Sequence, residues 1–140
     1  MYPDIPSLFE ISDEEAFNEA ALSVFRYQAA HTAVYRQYLE LLGKNTADVR
    51  HYADIPFLPI EFFKTQRLLA DQMDAQLVFS SSGTTGSTTS QHFVAEPWLY
   101  ETSYNAAFRQ FYGEVKDTAI LALLPSYQER TGSSLIYMVD

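Results

Sequence analysis

Cysteine is absent from the chain, which excludes a disulfide framework and any thiolate metal site. Positive charge is scarce: nine lysines and arginines stand against eighteen aspartates and glutamates, a net charge of −9. Binding a nucleic-acid backbone needs a basic face, so no nucleic-acid partner is expected. The same imbalance repels any phosphorylated ligand at long range, so an anion site here has to work through local donors rather than through steering. Histidine is limited to three scattered residues without metal-ligand spacing. The longest clean apolar run, residues 119–124, is far short of the roughly 20 residues a membrane-spanning helix requires. The first basic residue is Arg26, so no basic segment opens the chain and no signal peptide is expected. The expected address is the cytoplasm.

What is present suits a folded domain. Apolar residues make up 47% and charged residues 19%, and ten Tyr with ten Phe argue against disorder. At 140 residues the chain is long enough for one modest domain. Its most informative stretch is residues 80–90, SSSGTTGSTTS, eleven residues drawn only from Ser, Thr and Gly. Composition alone favours a flexible linker. The setting argues otherwise, because the run lies between the strand-like residues 75–79 (AQLVF) and His92-Phe93-Val94. Glycines permit positive φ and close backbone approach, while hydroxyls and successive amide N–H groups form a nest for an anion. No Gly-Lys-Ser/Thr ends the run, so it is not a Walker A loop. Without that lysine it must hold phosphate by backbone and hydroxyl groups, or borrow a cation from elsewhere.

Ser81-Ser82-Gly83-Thr84-Thr85-Gly86 resembles the phosphate-binding signature T/S-S-G-T-T-G-x-P-K-G of the adenylate-forming (acyl-activating) ligases. Downstream the pattern departs: Thr88 stands for the proline, Thr89 for the lysine and Ser90 for the last glycine. A threonine at the lysine position resembles the phenylacetate–CoA ligase branch. The wider context is most similar to the LuxE-type acyl-protein synthetases. That likeness is carried by residues 55–64 (IPFLPIEFFK), 88–92 (TTSQH) and 124–130 (LPSYQER), and it runs from about Phe17 onward.

The resemblance implies a fold and a reaction. The chain would be the N-terminal portion of a longer synthetase, since the family's adenine, ribose and lysine-bearing motifs lie well downstream of such a loop. Residues 135–140 stop within an apolar segment, in keeping with that expectation. The reaction would use ATP and Mg2+ to convert a carboxylic acid into an acyl-adenylate, then pass the acyl group to a thiol on a protein or on coenzyme A. Fatty acid is the family expectation and aryl acid the runner-up. Ser81, Ser82, Gly83, Thr84, Thr85, Gly86 and Thr89 would contact the nucleotide's phosphates, as a clamp rather than as acid or base. The cysteine that carries the acyl group in the LuxE type lies near the C-terminus of that family and is not in this chain. The alternative is a non-catalytic nucleotide-binding or protein-interaction module that retains the loop, which a chain ending naturally at Asp140 would favour.

Local signals outline the rest. Residues 1–11, with Pro3 and Pro6, read as an extended arm, and residues 12–74 as a helical region. Ser12-Asp13-Glu14-Glu15 reads as a capping box with Ser12 at the N-cap. The helix that follows is expected to bury Phe17, Ala21, Val24 and Phe25 and to break near His31-Thr32. A second stripe, Val34, Tyr38, Leu41 and Leu42, ends at Gly43, a C′ candidate. Pro56 and Pro59 exclude a central strand, and Pro59 is read as opening a short helix through Lys64, itself read as a solvated helix-end lysine.

Residues 75–140 form the loop-bearing region. His92 is read first as a satisfied polar residue beside a strand, with phosphate contact as the second option. Pro97 sits at N1 of a helix that ends at Gly113, with Tyr100, Tyr104, Ala107, Phe108 and Phe111 as its buried stripe. That stripe is read as core packing in preference to an acyl pocket. Residues 118–124 (TAILALL) read as a buried strand, residues 126–132 as a polar loop carrying Glu129 and Arg130, and Ser133 or Ser134 as the cap of a last helix. The fold class is therefore α/β or α+β: N-terminal helices followed by part of a mixed sheet flanked by helices. Such a partial sheet exposes an edge, so homodimerisation is an expectation as well.

Overall fold

The structure is a computed structural model and describes residues 3–81, 89–121 and 132–139. It is a helix-rich mixture of α and β, divided into two compact units: one runs to Phe62 and includes Leu68–Met73, the other comprises Phe63–Arg67 and the chain from Asp74.

The first unit is built on two helices, α1 (Glu14–His31) and α2 (Ala33–Leu41). Asp13 caps α1. It is extended (φ −147°, ψ 173°), and its carboxylate accepts from the Ala16 N–H at 2.8 Å. Glu14 and Glu15 fill the first turn, where negative charge suits the helix dipole. The expected cap was Ser12. Both residue types satisfy an N-terminal amide, but the start at Glu14 leaves Ser12 one residue outside and no Ser12–Glu15 box forms.

Thr32 breaks the helical run where expected. It is extended (φ −110°, ψ 103°), closes α1 with its N–H on the Gln28 carbonyl, and accepts the Arg36 N–H of α2 at 3.0 Å. Its buried hydroxyl donates to Gln28 Oε1 at 2.5 Å. At the other end of α2, Gly43 has φ +63°. The Gly43 N–H reaches the Glu40 carbonyl and the Lys44 N–H the Leu39 carbonyl, both at 3.0 Å, which is a Schellman closure.

Leu22, Phe25 and Ala29 of α1 meet Tyr35 and Leu39 of α2 and Val49 to form the core, flanked by Tyr38, Ile55 and Leu58. The expected faces were out of phase. Phe25 is shared, but Phe17 lies exposed and packs edge-on against Tyr52 with centroids 5.0 Å apart. In α2 the break at Thr32 turns Tyr35 and Leu39 inward. Leu41 lies about 200° around the helix from Leu39 at 3.6 residues per turn and is exposed, as is Leu42. The Tyr35 hydroxyl donates to the Pro56 carbonyl at 2.8 Å, and burial, with Tyr38 nearby, pushes its pKa up to about 12. Arg36 pairs with Asp71 at 3.1 Å. Near the N-terminus, Pro6–Phe9 forms a 3-10 turn with Ile5 buried, so this segment is not the extended arm its prolines suggested.

The short helix α3 (Phe62–Thr65) starts later than Pro59, whose carbonyl accepts the Phe62 N–H at 3.1 Å. Beyond it the second unit holds β1 (Leu77–Ser80), β2 (Gln91–Val94), α4 (Pro97–Tyr112) and α5 (Ser134–Val139). β1 and β2 pair antiparallel, and among the described residues they are the whole sheet, in place of the expected mixed one. Residues 118–121 are not a strand, and Leu121 is 96% exposed. An apolar run becomes a strand only where a ladder partner and a covering face exist, and among the described residues these four have neither; residues 122–124 lie outside the described residues. Pro97 and Gly113 bound α4 as read. Its stripe is shallower than expected: Tyr100, Tyr104 and Phe108 are half-buried, whereas Ala107 and Phe111 are exposed. Ser133 caps α5, its Oγ accepting the Ile136 N–H at 3.4 Å.

Candidate functional site

The Ser/Thr/Gly run joins β1 to β2, and their register sets its base. Leu77 faces Val94, Val78 faces Phe93, Phe79 faces His92 and Ser80 faces Gln91. One residue further, the Ser81 N–H donates to the Ser90 carbonyl at 3.0 Å, and Ser81 Oγ accepts the Ser90 N–H, also at 3.0 Å. Ser81 thus closes the mouth of the loop through both backbone and side chain. Ser81 and Thr89 are exposed, as a ligand contact requires. Ser82, Gly83, Thr84, Thr85 and Gly86 lie outside the described residues.

Side chains alternate across the ribbon. Its inner face carries Leu77, Phe79, His92 and Val94, with Phe79 and Val94 buried. Phe79 touches Tyr100 (5.0 Å between centroids), Tyr137 (5.4 Å) and His92 (6.4 Å), and Phe63 meets His92 edge-on at 6.0 Å. His92 keeps solvent exposure by area, yet this aromatic surround desolvates the ring and lowers its pKa. Its folded pKa lies below the ordinary 6.5, so the ring is neutral at pH 7 and offers a phosphate no positive charge.

The same cluster ties α5 to α4. The Tyr137 hydroxyl donates to Glu101 Oε1 at 2.6 Å, and that bond, helped by burial and the negative charge, pushes the Tyr137 pKa up to about 12. Tyr104 is raised as well, by desolvation and by Glu101. Glu101 is thereby engaged with α5, and no residue of α4 is fully buried.

The outer face carries Val78, Ser80, Gln91 and Phe93. The Arg67 guanidinium lies over the Phe93 ring, 5.6 Å from its centroid. Sequence reading missed this residue, because the contact joins positions far apart in the chain and leaves no local signal. Lys64, the cation weighed from sequence, is exposed.

Gly132 was also unforeseen as part of this region. Its carbonyl accepts the Ser80 N–H at 2.9 Å on the free edge of β1. Its φ is +95°, and a Cβ there would sit 3.2 Å from the Val78 carbonyl oxygen. Gly132→Ala is expected to destabilise the second unit by about 1–2 kcal/mol from the left-handed backbone alone, with crowding in addition. Urea denaturation followed by far-UV circular dichroism measures it, and an unchanged midpoint would refute the strain argument.

Ser80 and Gln91 lie on the outer face with the Val78–Phe93 pair, where Arg67 meets Phe93, whereas Ser81 and Ser90 continue the opposite face. Among the described residues no cluster of three acidic or histidine side chains is placed to hold a metal ion. No helix among them is long and apolar enough to cross a membrane. The chain matches no family model, no curated protein and no solved structure.

Proposed function

We propose that the chain supplies the phosphate-binding region of an ATP-dependent acid–thiol ligase, of the type in which a carboxylate is activated as its adenylate. The observation that supports this reading most is the position of the signature-like run. It is strung between two antiparallel strands and its mouth is closed by the Ser81–Ser90 pair, so the loop starts from a fixed base.

In the proposed reaction a carboxylate oxygen attacks the α-phosphorus of ATP, and the bond to pyrophosphate breaks. Negative charge then grows on the leaving pyrophosphate. N–H and O–H donors aimed at that charge stabilise it as it develops, and the backbone and hydroxyls of residues 81–89 would supply them. Mg2+ shares that charge when bound with the nucleotide. A thiol then attacks the acyl carbonyl and AMP departs. The glycines of the run suit a clamp that moves during turnover. ATP and reduced thiols occur together in the cytoplasm, which is the proposed location.

Exchange of labelled pyrophosphate into ATP tests the reading, using the full-length polypeptide that carries this segment and a panel of fatty and aryl acids. Exchange that depends on one class of acid is the expected result. ATP binding without exchange for any acid would point to the non-catalytic module instead.

A further inference from the structure

Resting on the ligase reading above, we infer that Arg67 is the cation that binds the phosphate oxygens of the ligand at the outer mouth of the β1–β2 hairpin, together with Ser80 and Gln91. The run has threonine at Thr89 where the signature carries lysine, so positive charge has to come from elsewhere in the fold.

Geometry singles out one residue. Ser80 and Gln91 face each other and lie on the same side of the ribbon as the Val78–Phe93 pair. Two residues separate those pairs, about 7 Å at 3.3–3.4 Å per residue, so the guanidinium over Phe93 lies one step along the strand from Ser80 and Gln91. Arg67 is stacked on Phe93 at that position and is exposed. A cation–π contact leaves guanidinium N–H groups available to other partners, and their planar fork matches the oxygens of a phosphate.

Other cations do not fill this role. Arg109 is paired with Glu114 at 3.0 Å, whereas among the described residues no ion pair to a carboxylate occupies Arg67. His92 sits on the opposite face among Phe63, Phe79 and Tyr100, and its ring is uncharged at neutral pH. In a chain of net charge −9, an arginine beside a hydroxyl-rich loop, with no ion pair among the described residues, is a local exception to the prevailing sign.

The test is calorimetric titration of inorganic tripolyphosphate into the full-length polypeptide that carries this segment at low salt, comparing wild type with Arg67→Met, Arg67→Lys and Arg109→Ala. Methionine keeps an apolar cover on Phe93 while removing the charge, so folding and binding are separated. Arg67→Met is expected to weaken binding about tenfold or more, the size of one charge-assisted hydrogen bond. Arg67→Lys should recover part of the loss and Arg109→Ala none of it, and the salt dependence of Arg67→Met should be shallower than that of wild type. Equal affinity of wild type and Arg67→Met overturns the assignment of Arg67 and leaves the ligase reading standing. Failure of wild type to bind tripolyphosphate overturns both.

Discussion

Phe25→Ala is expected to remove about 3–5 kcal/mol from the stability of the first unit. Phe25 is 3% exposed, the same as Leu39, and meets Tyr35 edge-on with centroids 6.1 Å apart. The core it anchors has six buried members, so few neighbours are available to close over a lost ring. A truncation of this size costs the transfer free energy of the removed atoms and also leaves a cavity, because helices fixed at Asp13, Thr32 and Gly43 cannot collapse into it. Net stabilities of small domains are only about 5–15 kcal/mol, so the loss consumes much of the total. Urea denaturation with hydrogen exchange on α1 and α2 reads the effect. Phe57→Ala is the control: that ring is 74% exposed and its removal should change stability by no more than about 0.5 kcal/mol. Equal effects from the two substitutions would show that the α1–α2 contact is not what holds this unit together.

The elements that could be read from sequence are those fixed by residues with a single local role. Thr32, extended between two helical stretches, interrupts them; Gly43 and Gly113 adopt positive φ just past helix ends; Pro97 starts α4; Ser133 caps α5. Each of these is decided within about four residues of chain. Errors arose where two local solutions were nearly equal or where a distant partner decides. Ser12 and Asp13 are both competent caps, and the choice between them depends on where the helix starts. The buried faces of α1 and α2 are set by their packing on each other and on Val49, which a stripe count on one helix does not contain. Residues 118–121 have the composition of a strand without its ladder.

The candidate site divides in the same way. Ser81 and Thr89 were visible because a run of Ser, Thr and Gly between apolar, strand-like segments is conspicuous, whereas the antiparallel pairing of those segments was not read from sequence. Arg67 and Gly132 were not visible, since both reach the hairpin from distant positions: one stacks on Phe93, the other bonds to Ser80. The cation and the edge contact are properties of the folded second unit, whereas the hydroxyl donors are properties of the run itself.

Gly83→Val is expected to abolish acid-dependent pyrophosphate exchange, by a factor of about 100 or more, in the full-length polypeptide. The argument is one of backbone freedom. The match SSGTTG has Gly at its third position, Gly83, within a run whose proposed work is to bring consecutive amides against phosphate oxygens. Glycine adopts positive φ at no steric cost and lets a ligand approach the chain closely. Valine does neither: its Cβ disfavours the left-handed region and its two branched methyls occupy the space a phosphate oxygen needs. Misdirecting one donor aimed at developing charge costs about 100- to 1,000-fold in other acyl-transfer sites, and a rotated backbone misdirects more than one. A companion Thr89→Val removes a hydroxyl while keeping the branched shape and should have a smaller effect, since it leaves the amides in place. The melting temperature of each variant separates the two explanations of a loss: unchanged melting with abolished exchange assigns the effect to the phosphate clamp. Full exchange by Gly83→Val would remove the run from the chemistry and, with it, the main support for a ligase.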